Sequence, residues 1–547
     1  MSSMSTLSTM ISALKSSQTA LNTTAHNLTN IETEGYVRQQ VLTKESNYQT
    51  YGTNSVSSFS IGSGIDVQAI RQVRDTFLDQ SYREESGRMG YYEAQAGAVE
   101  EVETILGETE GEAFSSILND LWESVSELSK HPDGLETRGS FIQNSVVFVE
   151  KANFIMEQIN DYQVNLNGEV ISQVDRINEI GAGLDELNDL VGKAEVTGGN
   201  ANDYRDQRNL LLDELSGMVK VTYREEADST LLVNIENVPF VISGNYYEMD
   251  VAQAEPFSPL VVPNWPHLDR TVFNFSDPVS SAYDNDIGSL KGLVLARGTR
   301  SADYTDLVDP KVYNQEIEGS IIMQAQAQFD NLIHGVVTMV NDLVAPNTPV
   351  TPGDPTYLDT ANAPYGLDGS QGTEVFVRTY MDRYDPTSTP AGAYNEENAS
   401  NIYSLYSAGN IEVNPDVLAN YNLIALSNER GSDGDNTVVQ SMLDAWDESF
   451  STLEPEASSR MNFTDYYVGF IGNIGSRGSL ASAQMENQEL MSTQIDNQRT
   501  MSTGVSSDEE LGNMMKYQHA YNAAARVVSI VDSMMERVVT SLGTVGR

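Results

Sequence analysis

The chain has no cysteine in 547 residues. That excludes disulfides, thiolate catalysis and cysteine-ligated metal, and leaves nothing to cross-link in an oxidising exterior. Basic residues are scarce: 31 lysines and arginines stand against 79 aspartates and glutamates, a formal net charge of −48. Nucleic acid and anionic membrane surfaces repel such a polyanion, so neither is expected as a partner. Acidity of this kind serves solubility at high local concentration or a high-salt habitat and names no ligand. No stretch approaches the roughly 20 apolar residues that span a bilayer. Residues 1–30 show a periodic stripe broken by Ser, Thr, Gln and Asn, whereas a cleaved secretory signal needs a basic start and a continuous apolar stretch. Neither membrane insertion nor a cleaved signal peptide is expected.

Catalytic patterns are also missing. The histidines His26, His131, His267, His334 and His519 are scattered, with no pair at metal-ligand spacing. Asp284 with Asp286, and Asp433 with Asp435, could be acid/base pairs or calcium ligands, but no calcium-loop pattern surrounds them, and they read as turn residues and solvated surface. There is no Gly-x-Ser-x-Gly elbow and no Gly-rich phosphate loop. No catalytic residue, cofactor or metal is expected; a spatially assembled Ser/His/Asp hydrolase stays open only as a remote alternative. Three Asn-x-Thr triplets, at Asn22, Asn27 and Asn462, match the glycosylation pattern, which is common by chance, and carry no function here.

The terminal helices stand out among what is present. Leu7, Ile11, Leu14, Gln18, Leu21, Ala25 and Leu28 alternate steps of four and three, the spacing of a coiled-coil seam. Leu511, Met515, Gln518, Tyr521, Ala525, Val528, Asp532, Met535, Val539 and Leu542 repeat that spacing at the other end. Up to Ile31 the only charged residue is Lys15, and the outward positions are Ser, Thr, Asn and Gln, unlike the charged faces of a solvated coiled coil. One short seam buries too little to offset chain ordering, so each terminus is expected to order fully on packing with a partner.

Between the ends the chain alternates in character. Val37 to Thr43 and Ser57 to Val67 read as short extended segments of a loop excursion, and helical spacing resumes near Asp75. The longest seam is Ile155, Ile159, Tyr162, Leu166, Val170, Gln173, Ile177, Ile180, Leu184, Leu187 and Val191, which predicts a rod-like helix. A period of two follows in Val219, Val221, Tyr223 and in Leu231, Val233, Ile235. Ile322, Ala325, Phe329, Leu332, Val336, Met339 and Leu343 restore the helical pattern until Pro346. The expected fold is therefore mainly α with β-rich insertions: terminal coiled-coil helices, a long helical-bundle domain and outer β domains in an elongated multi-domain subunit. The segments are an N-terminal assembly helix and turn at 1–40, a helical rod domain with an extended loop at 41–216, and a β-rich outer domain at 217–284. A return segment and rod helix follow at 285–346, a variable β-rich or irregular insertion at 347–406, the C-terminal part of the rod domain at 407–500, and a C-terminal assembly helix at 501–547.

Asn27, Asn30, Thr33, Gly35, Tyr36, Arg38 and Gln39 directly follow the first helix. Asn, Thr and Gly alone are what a helix end and turn require. As a set, the run resembles the signature of the bacterial flagellar axial proteins, and Arg38-Gln39 after Gly35-Tyr36 is similar to the hook-associated protein 1 family. Asp206-Gln207-Arg208-Asn209-Leu210-Leu211-Leu212-Asp213-Glu214-Leu215-Ser216 resembles that family's internal motif, and Gly62-Ser63-Gly64-Ile65-Asp66-Val67, Arg74-Asp75, Gly288-Ser289-Leu290-Lys291-Gly292-Leu293 and Asn410-Ile411-Glu412-Val413-Asn414 fit in order. His26 and the stretch Ala345 to Ser407 depart from the pattern. Arg208 reads equally as a buried structural arginine and as a contact residue. The resemblance implies a non-enzymatic subunit at the hook–filament junction of the flagellum, extracellular and carried there by the flagellar export apparatus. Implied partners are further copies in a ring, hook protein, hook-associated protein 3, and an export chaperone on the C-terminal helix. Another axial subunit of hook, rod or filament is the alternative. The expected assembly seam is Leu7, Ile11, Leu14, Leu21 and Leu28 with Leu511, Met515, Tyr521, Val528, Met535, Val539 and Leu542.

Overall fold

The computed structural model describes residues 2–46, 48–52, 58–107, 113–196, 198–275, 279–348, 356–385, 387 and 392–543. In chain order its helices are α1 (Ser2–Thr29), α2 (Thr76–Leu106), α3 (Phe114–Lys130), α4 (Leu135–Glu195), α5 (Asn202–Met218), α6 (Ser289–Arg297), the single turn α7 (Pro310–Val312), α8 (Ile321–Val344), α9 (Pro415–Ala419), α10 (Thr437–Asp447), α11 (Phe463–Thr503) and α12 (Ser507–Gly543). The fold is mainly α with small antiparallel sheets inserted. The chain divides into two compact units: a terminal unit of Met1–Met89, Asp175–Met249 and Asn487–Arg547, and a central unit of Gly90–Val174 and Asp250–Glu486. The helices α2, α4 and α11 contribute residues to both.

Apolar spacing explains the long helices. Along α4, Ile155, Ile159, Leu166, Val170, Ile177, Ile180, Leu184 and Val191 are at most 2 % exposed, so a single side of this 61-residue helix is covered throughout. Within the central unit, α3, α4, α8 and α11 meet in an aromatic cluster. Phe114 lies 5.7 Å from Phe148, 5.1 Å from Phe329 and 5.3 Å from Tyr467 by ring centroids. On α8, Ile322, Ala325, Phe329, Leu332 and Val336 are all buried, and Ser320 caps the helix by accepting from the Met323 amide.

Two sheets follow α5. The terminal unit holds the antiparallel meander β5 (Val221–Glu225), β6 (Leu231–Ile235), β7 (Val238–Ile242) and β8 (Asn245–Tyr246), in which Leu231, Val233 and Ile235 alternate inward. The central unit holds β9 (Asp250–Gln253), β10 (Val261–Trp265) and β11 (Arg270–Thr271), with Trp265 fully buried. The stretch 217–284, read from its sequence as one β-rich domain, is thus shared between two units, because its period-two pattern does not record which strands pair. Part of the 347–406 insertion lies outside the described residues. Its described part is organised by buried cations: Arg378 donates to the carbonyls of Asn395, Asp382 and Ser404, and Arg383 donates to Asp342 and the Ala345 carbonyl.

Candidate functional site

The terminal unit gathers the motif residues at one junction. α1 packs along α12, with the last turn of α1 beside the first turn of α12. The turn after α1 is local: the Asn30 side chain donates to the His26 carbonyl and Thr33 donates to Asn30. Gly35 then takes φ +72°, where a Cβ would stand 3.3 Å from the Leu210 Cβ, so left-handed backbone and close approach to α5 both call for glycine.

Asn27 is the centre of the junction, 1 % exposed and bonded at every polar position. Its Nδ2 donates to the Gln39 carbonyl at 2.9 Å and to Glu510 Oε2 at 3.1 Å. Its Oδ1 accepts from the Gln39 amide at 3.0 Å and from the Tyr36 hydroxyl at 2.8 Å. Burial, followed by the charges of Asp203, Asp206 and Glu510, pushes the Tyr36 phenol far above its ordinary value, which keeps that hydroxyl a donor. Arg38 completes the link: Nε meets Glu510 at 2.8 Å, NH1 meets Glu509 at 3.2 Å, and the backbone amide donates to the Thr503 carbonyl. Gln39 donates to Asp203 at 2.8 Å.

Asp206 ties α5 to the same turn. It accepts from the Val37 amide at 3.2 Å and from Gln72 at 2.6 Å, with Arg74 at 3.8 Å. Burial dominates and pushes its carboxyl up to about 7, against the lowering effects of the Val37 bond and Arg74. Gln72 ends β4 (Ile65–Gln72), which pairs antiparallel with β1 (Gln39–Glu45), so the ribbon is held to α5 at its base. Arg208 is buried and donates to Asn188, the Ser229 carbonyl and Glu225, a structural arrangement within the unit; Gln207 is exposed. Glu195 is held down to about 2, first by the Arg205 hydrogen bond.

Beside this lies an ionic cluster. Asp213 bonds Arg83 at 2.6 Å and Arg499 at 2.8 Å, Arg499 also sits 4.2 Å over the Tyr82 ring, and Arg74 bonds Asp79 at 2.9 Å. Glu510, Gln72, Arg83 and Arg499 are the members that sequence reasoning missed. Their partners lie 126 or more positions away or at the opposite end of the chain, where no spacing rule reaches.

The expected seams sit differently from their spacing. On α1 the buried residues are Ser16, Ala20, Thr23, Thr24 and Asn27, whereas Leu7, Leu14, Leu21 and Leu28 are half-buried and Ile11 is 42 % exposed. On α12 the side turned inward runs through Glu510, Met514, Tyr517, Tyr521, Ala524, Val528, Val531 and Met535; Leu511, Met515 and Val539 are exposed. Tyr521, Val528 and Met535 therefore belong to both lines, and the Leu542 side chain lies outside the described residues. On α1 the displacement has a physical cause: small polar side chains satisfy their hydrogen bonds locally and leave room for the larger inward side chains of α12, so the bulky apolar row of α1 flanks the contact. Thr9, Thr19 and Thr23 hydroxyls, for example, bond carbonyls one turn back.

Charge is partitioned between the regions. The terminal unit holds 18 basic and 30 acidic residues, of which 12 basic and 15 acidic lie in 1–89 and 487–547, whereas the central unit holds 13 basic against 49 acidic. Among the described residues no helix is long and apolar enough to cross a membrane, and no cluster of His, Asp or Glu could hold a metal.

Residues 99–350 match the family model for the helical domain of the flagellar hook-associated protein FlgK, and residues 497–542 match the C-terminal model of the flagellar basal body rod proteins FlgEFG. The chain is 27 % identical to flagellar hook-associated protein 1 of Bacillus subtilis (strain 168), with 99 % of each covered. It is 22 % identical to flagellar hook-associated protein 1 of Escherichia coli (strain K12), over 98 % of this chain and 99 % of that one. The solved flagellar hook junction protein FlgK from Burkholderia pseudomallei matches with a TM-score of 0.53 at 13 % identity, covering 79 % of this chain and all of that chain, a likeness of fold.

Proposed function

We propose a structural role at the hook–filament junction of the bacterial flagellum for this chain, which belongs to the flagellar hook-associated protein 1 family. The observation that carries the reading is the junction itself: the motif residues Asn27, Tyr36, Arg38, Gln39 and Asp206 converge to join the two chain ends. Such a knot fixes where the terminal helices leave the body of the subunit, and repetition of one subunit around an axis needs that geometry to be identical in every copy.

In this mechanism the bulky rows beside the α1–α12 contact, Leu7, Ile11, Leu14, Leu21 and Leu28 with Leu511, Met515 and Val539, pack against neighbouring copies. Heterologous contacts repeated around the axis make the ring. The near-neutral terminal segments 1–89 and 487–547 suit close packing into a tube. Neighbours along the axis are hook protein on one side and hook-associated protein 3 on the other. An export chaperone holds α12 beforehand as an amphipathic helix in a groove. The terminal helices travel unfolded and order on assembly. The chain performs no catalysis.

Deletion of Leu511–Arg547 tests the reading in cells whose only copy is the truncated chain. Hooks that end bare, with filament protein shed into the medium, are the expected outcome. Normal filaments on those hooks would overturn it, and label found along hook, rod or filament instead of at the junction would favour another axial position.

A further inference from the structure

We infer that the exposed methionines of α11 and α12 form an oxidation site that governs subunit packing, an inference that rests on the assembly role proposed above. Among the described residues, the methionines exposed beyond a third are Met491, Met501, Met515 and Met534, and all four lie in the terminal unit on these two helices. Met501 reaches 85 % exposure, while Met156, Met323 and Met442 of the central unit are buried.

Two of the four stand inside apolar rows. Met515 follows Leu511 by four positions, and Met534 lies between Ile530 and Val538 at the same spacing, so each shares a helix face with exposed apolar neighbours. Those rows are distinct from the Glu510, Ala524 and Val531 side that is buried against the rest of the unit. A flexible, polarizable thioether suits a surface that must conform to a neighbouring copy.

The same atoms are open to a two-electron oxidant such as hydrogen peroxide. The sulfur lone pair attacks one peroxide oxygen, the O–O bond breaks, an S–O bond forms, and the second oxygen leaves as water after proton transfer. Sulfur is oxidised to the sulfoxide and peroxide is reduced. The chain contains no thiol to intercept the oxidant. A sulfoxide places a strong acceptor in a row that must be desolvated on packing, where no donor awaits it. Because none of the four belongs to a core, an oxidised subunit keeps its fold and loses its packing. Once packed, the same sulfurs are covered, so sensitivity is confined to the unassembled chain.

The test uses the full-length chain added to isolated hook–basal bodies that lack it, with binding read by co-sedimentation and electron microscopy before and after peroxide. Oxidation at the four positions, confirmed by peptide mass, should lower binding at least tenfold with hydrogen-exchange protection of the terminal unit, read at residues 202–218 and 231–242, unchanged. A chain carrying Met491→Leu, Met501→Leu, Met515→Leu and Met534→Leu should bind equally before and after the same treatment. The corresponding Met→Gln chain should bind poorly without any oxidant. Undiminished binding by the oxidised native chain, equal loss by the leucine variant, or lost exchange protection in the terminal unit after oxidation would each overturn the proposal. Failure of the untreated native chain to bind at all would overturn the assembly reading as well, which distinguishes the two.

Discussion

Asn27 and Glu510 stand 483 positions apart in the chain and share a hydrogen bond of 3.1 Å inside the terminal unit. Glu510 is 2 % exposed, and its other oxygen accepts from Arg38, so both oxygens of this carboxylate are engaged by residues of the N-terminal motif. Substitution Asn27→Ala removes two donors and two accepted bonds at once, leaving the Gln39 backbone and a buried carboxylate short of partners. A local destabilisation of about 2–4 kcal/mol is expected. Hydrogen exchange should accelerate across 2–29 and 507–543, while tryptophan emission, which arises wholly from the central unit, stays unchanged.

Asp206 sets a pH dependence. Its folded-state value of about 7 lies above the ordinary carboxylate range because burial disfavours the charge. The fold therefore favours the protonated form: the stability this group contributes is complete below the unfolded carboxyl's titration near 3.9 and is lost as pH rises through about 7. The loss is on the order of 4 kcal/mol within the terminal unit. Exchange protection of residues 36–39 should fall between about pH 4 and pH 7.5, and Asp206→Asn should flatten that fall. Asp330 at about 8 and Glu374 at about 7, both raised chiefly by burial, give the central unit the same sign, so its melting temperature by tryptophan emission should also decline over this range.

Gly64 admits no side chain. Its φ is +114°, and an added Cβ would stand 2.1 Å from the Ser12 Oγ and 3.3 Å from the Thr9 Cα. Gly64→Ala must displace the β1–β4 ribbon from α1 and strain the backbone together, costing about 2 kcal/mol or more. Faster exchange of Ile65, whose amide donates to Ser12, is the expected readout, with the α5 amides unaffected.

The charge partition makes the two units respond oppositely to salt. Like charges on the central unit repel over roughly 30 Å at 0.01 M salt and roughly 3 Å at 1 M. Its melting temperature should rise over that interval by several degrees. The terminal unit relies on opposite charges, Arg38 with Glu510 and Arg83 and Arg499 with Asp213, and screening weakens such pairs where they are partly exposed. Exchange protection at its junction should stay level or drop slightly. A parallel rise in both units would count against the partition as the cause.

Periodicity carried the long helices. The buried line Ile155 to Val191 on α4 and Ile322 to Val336 on α8 follow directly from which residues are apolar, since a helix hundreds of atoms long has few other ways to cover them. Terminal packing was less legible. Leucine spacing marked Leu7, Ile11 and Leu14 as a seam for a partner but did not mark Ser16, Ala20, Thr23 and Asn27, the residues buried within the unit, because small side chains and hydrogen bonds leave no apolar period. The junction was legible as a motif of Asn27, Tyr36, Arg38 and Asp206. Its completion by Glu510 and Gln72 was not, since pairing at that separation is a property of the folded chain alone.

The α1–α12 contact, short-chained on its α1 side and capped by one asparagine, behaves as a zip fastener more than a rivet. Closing it brings a few donors to acceptors already aimed at them, beside the apolar side chains of α12. A fastener of that kind can be opened for passage through a narrow conduit and drawn shut again on the far side, with the asparagine at its end marking when it is fully closed.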